Sequence, residues 1–423
     1  MKQVSHLGIR TARLDEALLF LLGLFSTWQI IQFAGFSVAT LLTLALMFYF
    51  VLSRKPAVRK EPVLVLLLIG YTITTVLALF WETSGGYKKT AISNYIQWFG
   101  ALIICHYATK KNNTDGSGAF LRGFDWSCRV QLAWCVLQAL LYKGLNVDLN
   151  MTLFGWLMEK PSHIRADGMV PSGLHWHAAN MIPILAFTFF RHKNVLVKGL
   201  CVVVAYFTKN TTSYICMLLC VGMEILLITK RMLVDQYGRV KRKNAIIGAV
   251  IILSALLLGG IAWPKIESMI SYILYRFWEA LNPTYGNESS ATHLSYYTRL
   301  PYVLERMPLA QILFGTGMST SGHYFSQYFL QYSGTVWVVE SDVVNTILSC
   351  GVVGFVLQYG FLFYTIRWMG KAERQNRQRW VLLILMACGV LYNNQFNWVL
   401  QLELMLYARS RYLIRQQKMI QNQ

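Results

Sequence analysis

Long apolar blocks separated by short charged links make up most of this chain. Each block is close to the roughly 17–25 apolar residues that a helix needs to cross a bilayer. The pattern predicts an all-α polytopic membrane protein, a single integral membrane domain over residues 1–423 with about twelve transmembrane helices. Their predicted limits are 16–33, 36–53, 63–82, 91–108, 125–143, 171–190, 195–209, 211–229, 245–263, 342–366, 380–394 and 396–409.

The composition agrees with this prediction. Hydrophobic residues make up 55% of the chain and charged residues 14%, and the mean hydropathy is +0.41, which is too apolar for a soluble domain. A net charge of +20 suggests nucleic acid, but a nucleic-acid-binding face gathers its Lys and Arg into a patch. Here the basic residues recur in short links at alternate helix ends, so no nucleic-acid partner is predicted.

The basic residues also predict an orientation. If both termini are cytoplasmic, most of the 39 Lys and Arg residues fall in inner links, as the positive-inside bias requires. Two long segments then lie on the outer side: residues 144–170 and, between the ninth and tenth helices, residues 264–341.

The segment 264–341 is rich in polar side chains and is predicted to be partly helical. An amphipathic pattern near 266–281 predicts a helix lying flat on the outer surface of the bilayer. A second helix is predicted from about Thr298 to Leu309, and Gly315-Thr-Gly317 then breaks the chain.

Cysteines and charged residues within the apolar blocks need an explanation. All eight cysteines lie inside such blocks, which argues against a disulfide framework and a CxxC metal site. Arg129, Glu224 and Glu403 lie within or near the ends of blocks, where a charge is costly and usually faces a cavity or a partner. Pairing or snorkelling at the inner side accounts for Arg129 and Glu224, and Glu403 is open to either interpretation.

A first polar cluster runs from the outer loop into the sixth predicted helix. Arg165 offers a planar fork suited to a diphosphate, and the helix that begins after it turns its positive end outward. His177 and Asn180 share a helix face, whereas His175 and His177 point to nearly opposite sides, so no two-His metal site is predicted. The alternatives are headgroup contact for Arg165 and hydrogen bonding to a neighbouring helix for His177. A structural role is favoured for His175.

A second cluster contains Arg299 and Arg306, seven residues apart. One helix carrying both lines their guanidinium groups along one face. Two fixed cations can hold a diphosphate and stabilise it as a leaving group. The alternative, which is commoner for such a pair, is an amphipathic helix that is solvated or contacts headgroups.

A third cluster, Glu340, Asp342 and Asn345, lies at the outer mouth of the tenth predicted helix. Asp342, Asn345 and Ser349 fall on one helix face. An acidic group there can act as a general base towards a sugar hydroxyl. Alternatively, Asp342 caps the helix, as Ser or Asp before an apolar helix ordinarily does.

In this order, the clusters resemble the O-antigen polymerase and ligase superfamily of bacterial envelope glycan assembly, the Wzy-type polymerases and their ligase relatives. The resemblance covers residues 160–360. It is carried by Arg165-Ala-Asp-Gly168 with Asn180, Thr211-Thr-Ser213, Arg299 through Pro308 to Gly315-Thr-Gly317, and Asp342-Val-Val-Asn345 with Gly351-Val-Val-Gly354. Two positions depart from the family pattern: Val303 stands where an aromatic residue is frequent, and Asp342 with a displaced Asn345 replaces a His-Asn pair.

The resemblance implies inverting glycosyl transfer at the outer face of the bacterial cytoplasmic membrane, without a metal or other cofactor. A glycan held on undecaprenyl diphosphate passes to the hydroxyl of an acceptor, which is the next lipid-linked repeat unit in a polymerase and a different molecule in a ligase. Membrane lipids, a flippase and a chain-length regulator protein are the other partners it implies.

The resemblance also suggests roles for the cluster residues. Arg165, Arg299 and Arg306 would hold the donor diphosphate. Asp342, Glu340 or His177 would take the acceptor proton. The side chains lining the rest of the site would be His175, Asn180 and Asn345.

A transporter of lipid-linked oligosaccharides is the alternative from a different class, because twelve helices with both ends inside suit it equally. Such carriers commonly have two related halves and polar groups at the bilayer midplane. The sequence shows neither clearly, since its polarity is gathered at one face, and a receptor or scaffold leaves the outer arginines unexplained. A glycan polymerase is the favoured prediction.

Overall fold

The computed structural model describes residues 2–53, 62–79, 88–108, 116–155, 168–169, 176–208, 210–233, 288–318, 320–329, 339–372, 377–392 and 396–422, and the single residues Glu267, Ser271, Tyr275 and Trp278. The fold is all-α, since 15 helices and one two-stranded hairpin are found in these residues.

The first half of the chain contributes nine of the described helices and one small hairpin. They are α1 (Lys2–Phe25), α2 (Val38–Ser53), α3 (Pro62–Leu79), α4 (Lys88–Ala108), α5 (Gly116–Leu145), α6 (Leu149–Phe154), α7 (Trp176–Arg191), α8 (Val195–Thr208) and α9 (Thr211–Leu233). The antiparallel strands β1 (Gln32–Phe33) and β2 (Phe36–Ser37) separate α1 from α2.

The second half contributes α10 (Glu288–Leu304), α11 (Leu309–Phe314), α12 (Ser321–Tyr328), α13 (Asp342–Ala372), α14 (Arg379–Gly389) and α15 (Phe396–Gln421). The segment 264–341 is therefore helical in part, as predicted. Within its predicted surface helix, Glu267, Ser271, Tyr275 and Trp278 are helical and exposed.

The apolar blocks predicted the positions of the helices well. The predicted helix 245–263 lies outside the described residues, and every other one coincides with an observed helix. The end of the first is wrong, because α1 stops at Phe25. There the Ser26 hydroxyl donates to the Gly23 carbonyl (2.6 Å), and the chain then turns through Ala34 and Gly35, which have positive φ angles of 53° and 83°.

Two helical stretches in the described residues are long and apolar enough to cross a membrane, Thr211–Thr229 and Asp342–Ala372. Shorter apolar helices are Val38–Leu52, Asn180–Arg191, Val195–Thr208 and Arg379–Gly389. Only 33% and 50% of the two long apolar windows are buried inside the protein, so much of their apolar surface faces outward.

Helix α7 lies in the centre of the main core. Every residue from Asn180 to Phe190 is buried, and α5, α8, α9, α14 and α15 pack around it. Helix α1 packs along α5, where a Cβ atom on Gly123 would lie 2.0 Å from the Phe20 carbonyl oxygen. Small residues permit this close approach of two helix backbones.

Two smaller cores position the rest of the chain. Leu67 of α3, Trp98 of α4, Phe361 of α13 and Tyr407 of α15 belong to one of them. The other joins the loop helices to the start of α13, and its buried members include Tyr296, Val303, Phe325, Val344 and Leu348. Val303 thus points into this core, so a side chain at this position packs rather than lines a cavity.

Candidate functional site at the start of helix α13

Helix α13 is interrupted at Gly351, whose φ and ψ angles of 70° and −178° are not helical. The carbonyl groups just before the interruption accept hydrogen bonds from the long loop. The Thr316 amide donates to Leu348 (2.9 Å) and the Gly317 amide to Ser349 (3.0 Å). Backbone carbonyls at a helix end need such partners, so the loop completes the hydrogen bonding of the first segment of α13, residues 342–350.

Gly315 and Gly351 meet backbone to backbone at this point. A Cβ atom on Gly315 would lie 2.3 Å from the Ser349 carbonyl oxygen, and one on Gly351 would lie 2.3 Å from that of Leu313. Both glycines have positive φ angles, 82° and 70°, which side-chain-bearing residues rarely adopt. The two glycine motifs on which the family resemblance draws are therefore in direct contact.

Ser341 caps α13. Its hydroxyl accepts from the Val344 amide (3.4 Å), and its carbonyl accepts the Asn345 amide (2.8 Å). The hypothesis that Asp342 is the cap is therefore wrong, because the residue before it takes that role. Asp342 is the first helical residue, and its carboxyl group lies against α14, where a Cβ atom on Gly389 would be 2.8 Å from Oδ2.

Tyr297 of α10 links the loop to this capped end. Its hydroxyl is 2.7 Å from the Ser341 hydroxyl and also donates to the carbonyl of Val390. Burial raises the pKa of Tyr297 above its ordinary value, the negative charge of Asp342 adds to the increase, and the hydrogen bond with Ser341 opposes it. The Tyr297 side chain is thus a neutral phenol, and its hydroxyl group links α10 to the start of α13 and to the end of α14.

Glu403 of α15 approaches the same group of side chains from the interior. It has no exposed surface, and neither carboxyl oxygen has a hydrogen-bond partner among the described residues. Its carboxyl group interacts electrostatically with Asp342, and Tyr359 of α13 interacts with both acids and with Tyr297. Three elements, α10, α13 and α15, therefore carry the two carboxyl groups and the two phenols that act on one another electrostatically.

Asn345 ties α12 to α13. Its side-chain carbonyl accepts from the Ser321 hydroxyl (2.6 Å) and from the Ser349 hydroxyl (3.2 Å). The predicted helix face shared by Asn345 and Ser349 is confirmed, and the geometry gives Asn345 a positioning role. Glu340 is half-buried, at a bend just before the cap.

The two loop arginines stand over aromatic rings instead of lying on one helix. The predicted helix to Leu309 is wrong: α10 ends at Leu304, where the Arg306 and Met307 amides bond to carbonyls three residues back, and Pro308 then disfavours a helical conformation at Met307. Arg306 lies beyond that end, is exposed, and folds back on Tyr302, donating to its carbonyl (2.9 Å) with its guanidinium 3.2 Å from the ring centre.

Arg299 is joined to Arg306 through two rings. Its guanidinium lies 4.6 Å from the centre of the Phe329 ring, and the Phe329 and Tyr302 rings are 5.4 Å apart. Arg299 is half-buried. Both cations are therefore held by one aromatic pair, although the shared helix face that was predicted for them does not exist.

The first polar cluster is described only in part. Arg165 and His175 lie outside the described residues, as does the side chain of His177 in α7. Asn180 is buried, with 3% of its surface exposed, and its amide nitrogen has no hydrogen-bond partner among the described residues. Whether Arg165 and Arg299 approach each other therefore stays a prediction.

Gly168 and Met169, which follow Arg165 in the sequence, are held in the interior by amide side chains. Gln138 accepts from the Gly168 amide (2.9 Å), and Gln131 accepts from the Met169 amide (2.8 Å). Asn150 donates to the Gly168 carbonyl (2.9 Å). Sequence reasoning missed this clamp, although the spacing of Gln131 and Gln138 places two amides on one face of an apolar helix.

No protein-family model and no curated protein matches this sequence. The family resemblance therefore rests on the motif residues alone. Among the described residues, no group of three or more His, Cys, Asp or Glu side chains is placed to hold a metal ion.

The arrangement offers two kinds of chemistry. Asp342 is half-buried at a helix N-terminus, beside phenols and a second carboxyl group, and a carboxylate in such a place can accept a proton. Arg299 and Arg306 offer planar cations that suit phosphate oxygens. The loop that carries the arginines is attached to the helix segment that begins with Asp342 through the Gly315–Gly351 contact.

Proposed function

We propose that this protein is an envelope polysaccharide polymerase. It joins undecaprenyl-diphosphate-linked oligosaccharide units at the outer face of the bacterial cytoplasmic membrane by metal-independent inverting glycosyl transfer. The observation that supports this best is the contact between the two glycine motifs, because it attaches the cationic loop to the segment that begins with the carboxylate.

The proposal includes a multi-pass topology with about twelve crossings and both termini in the cytoplasm. The positive-inside bias of the sequence supports it. Large apolar side chains on the outer faces of the helices support it too: Leu66, Leu140, Leu226 and Val356 are 61–64% exposed. Exposed apolar side chains of this size suit contact with lipid tails.

In the proposed reaction, Arg299 and Arg306 hold the donor diphosphate with Arg165. Asp342 takes the proton of the acceptor hydroxyl as its oxygen forms a bond to the donor anomeric carbon. The bond from that carbon to the diphosphate breaks, and the electron pair leaves with the diphosphate. Fixed cations stabilise the negative charge that develops on this leaving group.

Reconstitution in lipid vesicles with synthetic lipid-linked repeat units tests the proposal. We expect chain growth, and we expect Arg299→Ala and Asp342→Asn each to reduce its rate by about 100-fold. For Arg299 this is the effect of removing one fixed group that stabilises developing charge, and for Asp342 it is the effect of removing a general base. Arg129→Ala is a matched control, because Arg129 also stands over an aromatic ring, Trp126, but pairs with Asp125 on α5. Chain growth at an undiminished rate in well-folded Arg299→Ala protein would contradict the proposed role of the arginines.

A lipid-linked oligosaccharide transporter is the second candidate, and two observations favour it. A helix interrupted at Gly351 and a fully buried carboxyl group at Glu403 are both features of transporter interiors. The same vesicles separate the candidates, because a transporter moves the labelled unit across the bilayer without forming glycosidic bonds.

A further inference from the structure

Helix α13 carries an exposed strip along one face of its second segment. Its members follow one another at steps of three or four residues, which places them on one side of the helix: Val356, Gly360, Phe363, Arg367 and Lys371. Val356 and Phe363 are 61% and 54% exposed, and nothing lies within 4 Å of a Cβ atom at Gly360. The strip is therefore apolar along most of its length and cationic at its last two positions.

The length of this strip matches one leaflet of a bilayer. Arg367 follows Val356 by 11 positions, and at 1.5 Å per residue the two are about 17 Å apart along the helix axis. The hydrocarbon region of one leaflet is about 15 Å thick, which is half of the whole core. An acyl chain lying along the strip therefore places its headgroup at the level of Arg367 and Lys371.

Helix α15 brings a third cation to the same level. The Arg411 guanidinium lies 4.3 Å from the centre of the Trp368 ring, and the Lys371 ammonium lies 5.0 Å from it. The two helices stay together beyond this ring, since the Gln417 amide donates to the Ala372 carbonyl (3.4 Å). Cations from two helices are thus held on one tryptophan, a residue that is enriched at membrane interfaces.

This end of the helix bundle is strongly basic. Residues 366–380 contain five Lys or Arg residues and one acid, Glu373, which lies outside the described residues, and residues 404–423 contain four and no acid. One of these cations, Arg377, is paired with Glu224 of α9 (2.8 Å). Under the proposed topology this end lies at the cytoplasmic leaflet, whose anionic lipids attract basic segments of this kind.

We propose that Arg367, Lys371 and Arg411 bind the headgroup of an anionic phospholipid of the inner leaflet, with one acyl chain along the exposed strip of α13. Guanidinium and ammonium groups suit phosphate oxygens. A zwitterionic lipid offers the same phosphate but adds a cation that these three residues repel. The site rests on the membrane location in the proposed function and not on the reaction, since Asp342 lies at the other end of α13.

Native mass spectrometry of the full-length protein in detergent micelles tests the site. Phosphatidylglycerol and phosphatidylcholine with identical acyl chains are titrated separately. We expect saturable binding that favours phosphatidylglycerol, and we expect the double variant Lys371→Gln/Arg411→Gln to weaken its binding by about 25-fold, since each basic residue near an anionic surface contributes about fivefold. Equal affinity of the unaltered protein for both lipids overturns the proposal.

Arg129→Gln is the matched control. Arg129 also lies over a tryptophan ring, that of Trp126 (5.2 Å), but its charge is balanced by Asp125 (2.7 Å) on the same helix. We expect this variant to bind phosphatidylglycerol as the unaltered protein does. A loss as large as that of the double variant shows a general effect of net charge and overturns the local site.

A phosphatidylglycerol with a photoreactive group in its acyl chain locates the lipid without any substitution, so this measurement stands even if a variant fails to fold. We expect cross-links to concentrate on the peptide that contains Val356 and Phe363, and to be fewer there with the matching phosphatidylcholine. Cross-links spread alike by both lipids over other exposed apolar residues, such as Leu140 and Leu226, overturn the site.

Inorganic phosphate distinguishes a lipid site from a site for the anion alone. In excess over the lipid, and compared with chloride at equal ionic strength, it should leave phosphatidylglycerol bound, because it cannot replace the acyl chain on the strip. Displacement by phosphate but not by chloride overturns the assignment to a lipid.

The chain-growth assay separates this inference from the proposed function. Selective phosphatidylglycerol binding without chain growth leaves the lipid site standing and removes the polymerase. Chain growth in a protein that binds both lipids equally leaves the polymerase standing and removes the lipid site.

Discussion

At the scale of single residues, Gly315 and Gly351 determine where the long loop meets α13. Each has a positive φ angle, and each leaves no room for a side chain against the backbone of the other segment. A glycine is needed here for both conformation and close approach. The first segment of α13 and the loop are therefore packed directly against each other, backbone to backbone.

We expect Gly351→Ala to lower the free energy of unfolding by about 2–3 kcal/mol, because the added methyl group strains the backbone and collides with the Leu313 carbonyl. Gly360→Ala in the same helix is the control. Nothing lies within 4 Å of a Cβ atom at Gly360, so the change should be under about 1 kcal/mol and stabilising. Denaturant titration in detergent micelles measures the free energy of unfolding of both variants. Equal changes in the two variants would contradict the close contact between Gly351 and Leu313.

Tyr297 shows how one hydroxyl can join three helices. We expect Tyr297→Phe to lower the free energy of unfolding at neutral pH by about 1–2 kcal/mol, through loss of its bonds to Ser341 and Val390.

The effect of Tyr297→Phe should depend on pH. Because the folded protein raises the pKa of Tyr297 above the ordinary value of 10.0, its contribution is complete below pH 10 and is lost as the pH rises through the raised value. Unfolding measured from pH 8 to pH 11 should therefore show the difference between the two proteins shrinking at the alkaline end. A difference that grows there would contradict the assignment.

At the scale of the elements, helix positions could be predicted from the sequence and helix ends could not. Apolar length predicted α2, α3, α4 and α9 closely, since a long apolar run has one stable solution away from water. The end of α10 depended instead on a local signal, Pro308, that the charge pattern of Arg299 and Arg306 obscured. The prediction that Arg299 and Arg306 share a helix face was wrong because the helix ends before Arg306.

The clamp on Gly168 and Met169 is a second feature at this scale, and it depends on helix pairing that periodicity does not reveal. Gln131 bridges two segments, since it accepts from Met169 and donates to the Thr27 carbonyl (2.9 Å). These contacts hold the chain that follows Arg165 between α1, α5 and α6.

We expect Gln131→Leu to destabilise the protein by about 2–3 kcal/mol, because it leaves two buried backbone groups without partners. Hydrogen exchange at the amide of Met169, which donates to Gln131, should also become faster. Gln416→Leu is the control, because Gln416 is exposed on α15 and bonds Tyr412 on the same helix. Unchanged exchange at Met169 in the Gln131 variant would show that the clamp is not what protects it.

At the scale of the whole molecule, all eight cysteines are buried, which provides a clean background for testing the topology. Under the proposed topology, a membrane-impermeant maleimide applied to intact cells should label a cysteine introduced at exposed Glu305 in the long loop. A cysteine at Met419, which is 61% exposed near the C-terminus, should be labelled only after the membrane is opened. Labelling of Met419→Cys in intact cells would contradict a cytoplasmic C-terminus.

The sequence also left open which distant residues meet. The acid at Glu403 was recognisable as a charge within an apolar block, but the complete burial of its carboxyl group became evident only when α15 packed beside α13. Apolar helix faces are largely interchangeable in composition, so helix pairing is decided by details of shape that a hydropathy pattern does not contain. Ser341, Tyr297 and Tyr359 were missed for the same reason.

The central position of α7 has a consequence for how the protein is made. Its buried stretch from Asn180 to Phe190 is enclosed in part by α14 and α15, which leave the ribosome well after α7 does. Until those helices insert, only α5, α8 and α9 cover α7, and the part of its buried surface that faces α14 and α15 stays exposed. Truncation after α13 should therefore yield a polypeptide that membrane quality-control proteases degrade rapidly.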